Sequence, residues 1–139
     1  MLRTPLIHPQ LLGALGRAGH GSKVLLSDGN FPHVTGAAAG AERIYLNLAP
    51  GLLDVDQILS VLIPTIPIEA AEVMLPPDGA EVPAIASYRA ALRDVPFSGH
   101  DRLSFYEAAR HPDVAVVIAT GDQRVYANLL LTVGVVPQA

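Results

Sequence analysis

Val114-Ala115-Val116-Val117-Ile118-Ala119, followed by Thr120-Gly121-Asp122, is the stretch that decides the fold. All six leading residues are apolar, and four of them are β-branched. A strand with one face in water alternates apolar and polar residues. A strand that does not alternate is covered on both faces, which is the situation of a parallel sheet sandwiched by helices. The Thr-Gly-Asp that follows is a turn at the carboxyl end of that strand, the end at which such sheets bind ligands.

Upstream of this strand, Asp101 can cap a helix over Leu103 to Arg110. Downstream, Asn128 to Val133 reads as the last strand. Further out, His8 to Arg17 has helical spacing: Pro9 suits the first helical position, and Leu11, Leu12 and Leu15 share a face. Lys23 to Ser27 is a short apolar strand closed by Asp28-Gly29-Asn30 and Pro32. Residues 29 to 42 form a long Gly/Ala-rich loop. Arg43 to Leu48 alternates as a strand. Asp54 can cap a helix carrying Val55, Ile58, Leu59 and Leu62, stopped by Pro64. Ala70 to Leu75 is a strand, Pro76 to Gly79 a turn, and Pro83 to Arg93 a helix with Ile85, Tyr88 and Leu92 inward. The segment Val95 to Asp101 has no regular pattern. Strands and helices alternate along residues 1–139, so the expected architecture is a single α/β domain with a mostly parallel or mixed sheet flanked by helices.

The composition narrows the function. The chain has 139 residues and no cysteine, which removes disulfide and thiolate chemistry. Its net charge is −4 with scattered basic residues, which argues against nucleic acid. No apolar run is long enough to span a bilayer, and no secretory leader is evident, so a cytoplasmic protein is expected. Charged residues make up 16% and apolar ones 50%, where about 25% charged is usual. So little charge on a chain with so much surface to cover predicts a homo-oligomer.

Few residues are left for chemistry. The five histidines show no short metal-ligand spacing, and there is no phosphate loop and no nucleophile elbow, so no metal or cofactor is expected. What remains are proton-transfer groups. His20 sits in a Gly-His-Gly turn after the first helix. It is either a residue placed against helix-terminal carbonyls or an acid–base group. Asp28 is either a turn former or a carboxylate on a neighbouring loop that orients that imidazole. Arg102 and Tyr106 lie four apart on one helix face. Tyr126 and Asn128 lie two apart and would share a side of a strand. His33 is a candidate supporting group, whereas His8, His100 and His111 read as solvated.

Taken together, Leu11-Leu12-Gly13-Ala14-Leu15-Gly16-Arg17-Ala18-Gly19-His20-Gly21, Leu26-Ser27-Asp28-Gly29-Asn30-Phe31-Pro32, Arg102-Leu103-Ser104-Phe105-Tyr106-Glu107, Thr120-Gly121-Asp122 and Tyr126-Ala127-Asn128-Leu129-Leu130-Leu131 with Gly134-Val135 resemble the RbsD/FucU family, the ribose pyranases and fucose mutarotases. The resemblance implies an α/β sandwich assembled into rings, often decamers, with monosaccharide sites near subunit interfaces. It implies His20 and Tyr106 as catalytic residues, and Asp28, Arg102, Tyr126, Ala127 and Asn128 as sugar-binding residues. Arg102, the Phe-Tyr-Glu after it and the Asn-Phe-Pro after Asp28 point to the fucose branch. The implied reaction is interconversion of the anomers of L-fucose or a related sugar. The alternatives are a D-ribose pyranase and a non-catalytic sugar-binding accessory of a transport system. The loops 34–41 and 95–101 depart from the fucose pattern and leave the sugar open.

Overall fold

The computed structural model describes residues 1–139. Four helices, α1 (Pro9–Ala18), α2 (Val55–Leu62), α3 (Pro83–Ala91) and α4 (Arg102–Arg110), alternate with six strands. These are β1 (Lys23–Ser27), β2 (Glu42–Tyr45), β3 (Ile68–Met74), β4 (Phe97–His100), β5 (Val114–Ala119) and β6 (Leu129–Val133). They form one sheet in the order β2-β5-β1-β6-β3-β4. β5 runs parallel to β1 and β2, and β4 parallel to β3, while β6 is antiparallel to both β1 and β3. Five strands therefore end at the same edge, and β6 begins there.

The expected α/β layering is the observed one. Val116 and Ile118 enter the core formed with α1, α2 and α3, whereas Val114 and Val117 enter a second core with Phe105 and Ala109 of α4. β5 is covered on both faces, as its unbroken apolar run requires. No helix is long and apolar enough to cross a membrane.

Several elements differ from the sequence expectation. β2 stops at Tyr45, short of Leu48, and α3 stops at Ala91. His8 does not float in solvent: its Nδ1 accepts from the Leu11 amide at 3.2 Å and caps α1. The segment 95–101 contains β4, an edge strand that pairs only with β3. Pro96 and Gly99 obscure its pattern, but an edge strand tolerates both, because one side of its ladder is free.

The Gly/Ala-rich loop of residues 29–41 is ordered by one side chain. Arg43 on β2 donates to the carbonyls of His33 (2.7 Å), Val34 (3.0 Å), Ala37 (3.3 Å), Ala38 (3.1 Å) and Ala41 (2.9 Å). The small residues let the loop wrap the guanidinium while Ala37, Ala38 and Ala41 pack under α4. A lysine cannot reproduce this fork. Arg43→Lys is expected to cost about 2 kcal/mol, from carbonyls left without a charged donor. In calorimetry that corresponds to a Tm lower by about 5–8 °C.

On the α4 side of the sheet, Glu72 bridges Lys23 (2.7 Å) and His100 (2.8 Å). Burial by itself pushes the Glu72 carboxyl up, but the bonds to Lys23 and His100 outweigh it and hold the group below its ordinary 4.5. A carboxyl depressed in the folded state stabilises the fold above its unfolded value. That contribution is lost as pH falls from about 4.5 through the folded value. The Tm difference between wild type and Glu72→Gln is therefore expected to be largest near neutrality and to shrink in acid below 4.5, as followed by thermal melts across pH.

Candidate functional site

At the edge where β1 and β3 end and β6 begins, the chain forms a cleft of about 260 Å³. It is lined by Asp28, Asn30, Phe31, Met74, Arg102, Tyr106, Val125, Tyr126 and Asn128. Placement outside the carboxyl ends of parallel strands, beside a strand-order reversal, is where open α/β sheets bind ligands.

Asp28 is the pivot of its floor, 3% exposed. It exchanges two hydrogen bonds with Asn128: its amide donates to Asn128 Oδ1 (2.8 Å), and Asn128 Nδ2 donates to its Oδ2 (3.0 Å). The Asn30 amide donates to Oδ1 at 2.9 Å. Burial pushes the Asp28 carboxyl up, against the pull of the Asn30, Phe31 and Ala127 amides, and the nearby Asp122 charge adds to the rise. The net result is a carboxyl that holds its proton to higher pH than a free aspartate.

Tyr126 and Asn128 do not lie on a strand. They belong to the turn that leads into β6, and Tyr126 has φ +59°, a left-handed conformation rare for a bulky residue. It costs about 1–3 kcal/mol and persists only where neighbours enforce it. Two bonds do so at Ala127. Its amide faces Asp28, and its carbonyl accepts from the Tyr88 hydroxyl at 2.7 Å. The Ala127 methyl is fully buried, so this residue shapes the turn through its backbone and offers no side chain to the cleft. Tyr88 was legible in the sequence only as an inward-facing core residue of α3. Burial pushes its phenol far up, so it stays protonated as a donor. Tyr88→Phe leaves the Ala127 carbonyl buried without a partner, at about 1–3 kcal/mol. The expected Tm is lower by about 3–9 °C in calorimetry.

The opposite wall is α4. Asp101 caps it, accepting from the Ser104 amide at 2.8 Å. One turn apart on the same face, Arg102 and Tyr106 both reach the cleft, as their spacing predicts. The Arg102 guanidinium lies 5.7 Å from the Tyr106 ring centre, and that of Arg110 lies 5.6 Å from it. Phe31 packs against Tyr106 with ring centres 5.5 Å apart. His33 stands behind: its Nδ1 shares a 2.8 Å hydrogen bond with Ser27 Oγ, its ring lies near Phe31 and Tyr45, and burial pushes its imidazole down.

His20 is elsewhere. It precedes β1, while Asp28 follows it, and five strand residues span roughly 16 Å. The two loops are not neighbours, and Asp28 does not orient this imidazole. Nor does His20 sit on helix-terminal carbonyls. Its Nε2 faces both carboxylate oxygens of Glu69, at 3.2 and 3.1 Å, at the start of β3. The flanking Gly19 (φ +101°) and Gly21 (φ +81°) adopt the left-handed conformations that swing His20 out at this edge.

The sequence profile of the RbsD / FucU transport protein family matches residues 1–136. The chain belongs to this family. Cattle (Bos taurus) fucose mutarotase is 35% identical over 94% of this chain and 90% of its own length. D-ribose pyranase of Paracidovorax citrulli is 31% identical over 97% and 98%. The crystal structure of the Streptococcus pneumoniae fucose mutarotase in complex with L-fucose superimposes with a TM-score of 0.83 at 25% identity, covering 99% of this chain and 100% of that one. Fold and family membership thus stand as the sequence blocks implied. Beyond the residues singled out from sequence, the family member described here lines its cleft with Asn30, Phe31, Met74 and Val125. Asn30 and Phe31 lay inside the Asp28 block, whereas Met74 and Val125 carried no local signal, because only the fold brings them to the cleft.

Proposed function

We propose that this protein interconverts the anomers of a reducing monosaccharide, L-fucose or a close relative of it, by opening and reclosing the ring. The observation that carries the reading is the cleft itself. A buried Asp28 paired with Asn128 faces Arg102 and Tyr106 at the carboxyl edge of the sheet, in a chain whose relatives of comparable length are sugar mutarotases and a pyranase. Ring opening takes a proton from the anomeric hydroxyl and gives one to the ring oxygen, and reclosure reverses both transfers. Carbon 1 keeps its oxidation state throughout, so two placed acid–base groups suffice. Such groups supply about 10²–10⁴-fold, enough to matter for a reaction that already proceeds in water.

In this reading Tyr106 is one acid–base group. Asp28, Arg102, Tyr126 and Asn128 hold sugar hydroxyls, and Ala127 fixes the turn that presents Tyr126 and Asn128. The other acid–base group is His20, supplied by a second copy of the chain, since within one chain the strand separates it from the cleft. Apolar surface at both edges supports that arrangement. Leu103 and Val125 beside the cleft are 72% and 67% exposed, and Val135 and Val136 beyond β6, on the His20 edge, are 60% and 75% exposed. Contact of unlike edges is head-to-tail, and a head-to-tail contact closes into a ring when the rotation allows. A ring such as a decamer is the proposed assembly.

The test is anomer-exchange NMR on L-fucose, D-ribose, galactose and rhamnose. Acceleration of fucose exchange above the buffer rate supports the mutarotase. Preferential acceleration of pyranose–furanose exchange of ribose moves the assignment to a pyranase, and binding without acceleration to an accessory protein. A monomer by sedimentation at micromolar concentration overturns the shared site.

A further inference from the structure

A second cleft, of about 400 Å³, opens at the same sheet edge, over the ends of β1, β2 and β5. Its walls are the turns 47–50 and 120–123, and it shares Asn30 with the first cleft. The Asp28-Gly29-Asn30 turn is the ridge between the two, pinned by a 2.8 Å bond from the Gly29 amide to the Asp122 carbonyl. The far wall is rigid. Gly51 donates to the Gly121 carbonyl at 2.6 Å and Gly121 to the Leu53 carbonyl at 3.1 Å, a backbone approach so close that a side chain at Gly121 would strike the carbonyls of Ala49 and Leu52.

The chemistry of the lining is specific. Asn30, Asn47 and Gln123 bring three carboxamides to it, and none of these side chains is engaged by another group of the chain. Each offers both donors and an acceptor. The one carboxylate there is spent: Asp122 is bound by Arg124 (2.6 Å) and by the Val55 amide (3.0 Å). No free charge faces the cleft, so it selects for an uncharged ligand rich in hydroxyls. Leu48, solvent-exposed on its rim, offers an apolar surface of the kind that packs against the C–H face of a sugar ring. The volume falls within the range of about 300–1,000 Å³ typical of small-molecule sites.

Resting on the mutarotase reading of the first cleft, we propose that the second cleft holds a neutral glycosyl unit attached to the reacting sugar. The protein then acts on the reducing end of a small oligosaccharide as well as on a free monosaccharide. Ring opening leaves such a substrate intact, provided that the linkage is through a hydroxyl other than the anomeric one.

The test compares anomer exchange of L-fucose with that of three disaccharides carrying a galactosyl group on the 2-, 3- or 4-hydroxyl of reducing L-fucose. The wild-type oligomer is measured beside Asn47→Ala/Gln123→Ala, whose changes lie outside the reacting cleft. At least one disaccharide is expected to be accelerated. For it, the double variant should raise KM by tenfold or more while leaving L-fucose kinetics within twofold, as loss of two amide contacts to the substituent requires. Acceleration of L-fucose but of none of the disaccharides overturns the inference and leaves the mutarotase standing. So does an equal change of both substrates in the double variant. No acceleration of L-fucose by the wild type overturns the mutarotase reading, and this inference with it.

Discussion

His20→Ala is expected to lower the rate of fucose anomer exchange by about 10²–10⁴-fold, the contribution of a placed acid–base group. The fold should be almost unchanged, because the imidazole is half in solvent and its pairing with Glu69 is an exposed one, worth little to stability. The same variant distinguishes a shared site from a self-contained one. Tyr106→Phe is expected to be impaired as well, since it lacks the other proton-transfer group. If His20 serves the cleft of a neighbouring copy, mixed oligomers of the two impaired variants contain interfaces at which an intact His20 meets an intact Tyr106. Unfolding, mixing and refolding the two together should then restore exchange towards a quarter or so of the wild-type rate, as random pairing at a head-to-tail contact requires. A mixture no more active than the average of its parts places both groups in one chain's site and overturns the shared arrangement. An unchanged rate in His20→Ala removes the residue from the reaction altogether.

The second large effect is expected at Asp28. Asp28→Ala removes the acceptor for Asn128 Nδ2 and for the Asn30 and Ala127 amides, and the Asn128 and Ala127 donors are left buried. It also frees Tyr126 to leave its left-handed conformation, since half of the bracing at Ala127 is gone. The expected cost is about 2–3 kcal/mol, a Tm lower by about 6–12 °C, with fucose exchange at the buffer rate. Asp28→Asn separates the carboxyl's charge from its hydrogen bonds. Because burial raises the Asp28 carboxyl, the charged form opposes folding. Its contribution favours the fold below the unfolded value and fades as pH rises through the folded one. Asparagine is neutral at every pH. Its melting temperature is therefore expected to lose the Asp28-linked part of its decline with rising pH, while sugar affinity still falls, since an amide nitrogen is turned towards a donor. Equal affinity in Asp28→Asn and wild type would remove the carboxylate from sugar binding.

Around the cleft, the Asp122–Arg124–Asp56 cluster behind Tyr88 has a supporting part. Arg124 spans Asp122 (2.6 Å) and Asp56 (2.8 Å), and the bond to Asp122 holds its guanidinium firmly charged. Burial alone would raise Asp122, but the bonds from Arg124 and the Val55 amide bring it below its ordinary value. The result anchors the start of α2 to the turn that bounds the second cleft.

Much of this was legible in the sequence where the determining physics is local. The unbroken apolar run of 114–119 meant a strand covered on both faces, because side-chain alternation has a period of two whatever the fold. Asp54 and Asp101 announced helix starts, because a cap is made within three residues. Arg102 and Tyr106 were certain to share a face, because one helical turn separates them. Family membership was legible too, from ordered blocks spread along the whole chain.

Tertiary structure decided the rest, and for one physical reason: it depends on which strand lies beside which. His20 and Asp28 are eight residues apart, and sequence distance made them look like neighbours. An extended strand between them puts them at opposite edges of the sheet instead. Met74 and Val125 reached the cleft only because β6 inserts between β1 and β3. Tyr88 came to brace Ala127, and Arg43 to gather five loop carbonyls, through contacts that no local pattern records. The sequence by itself determined the layers, the family and most residues of the site. The order of the strands decided that His20 lies away from the cleft within one chain, and that a second cleft stands beside the first.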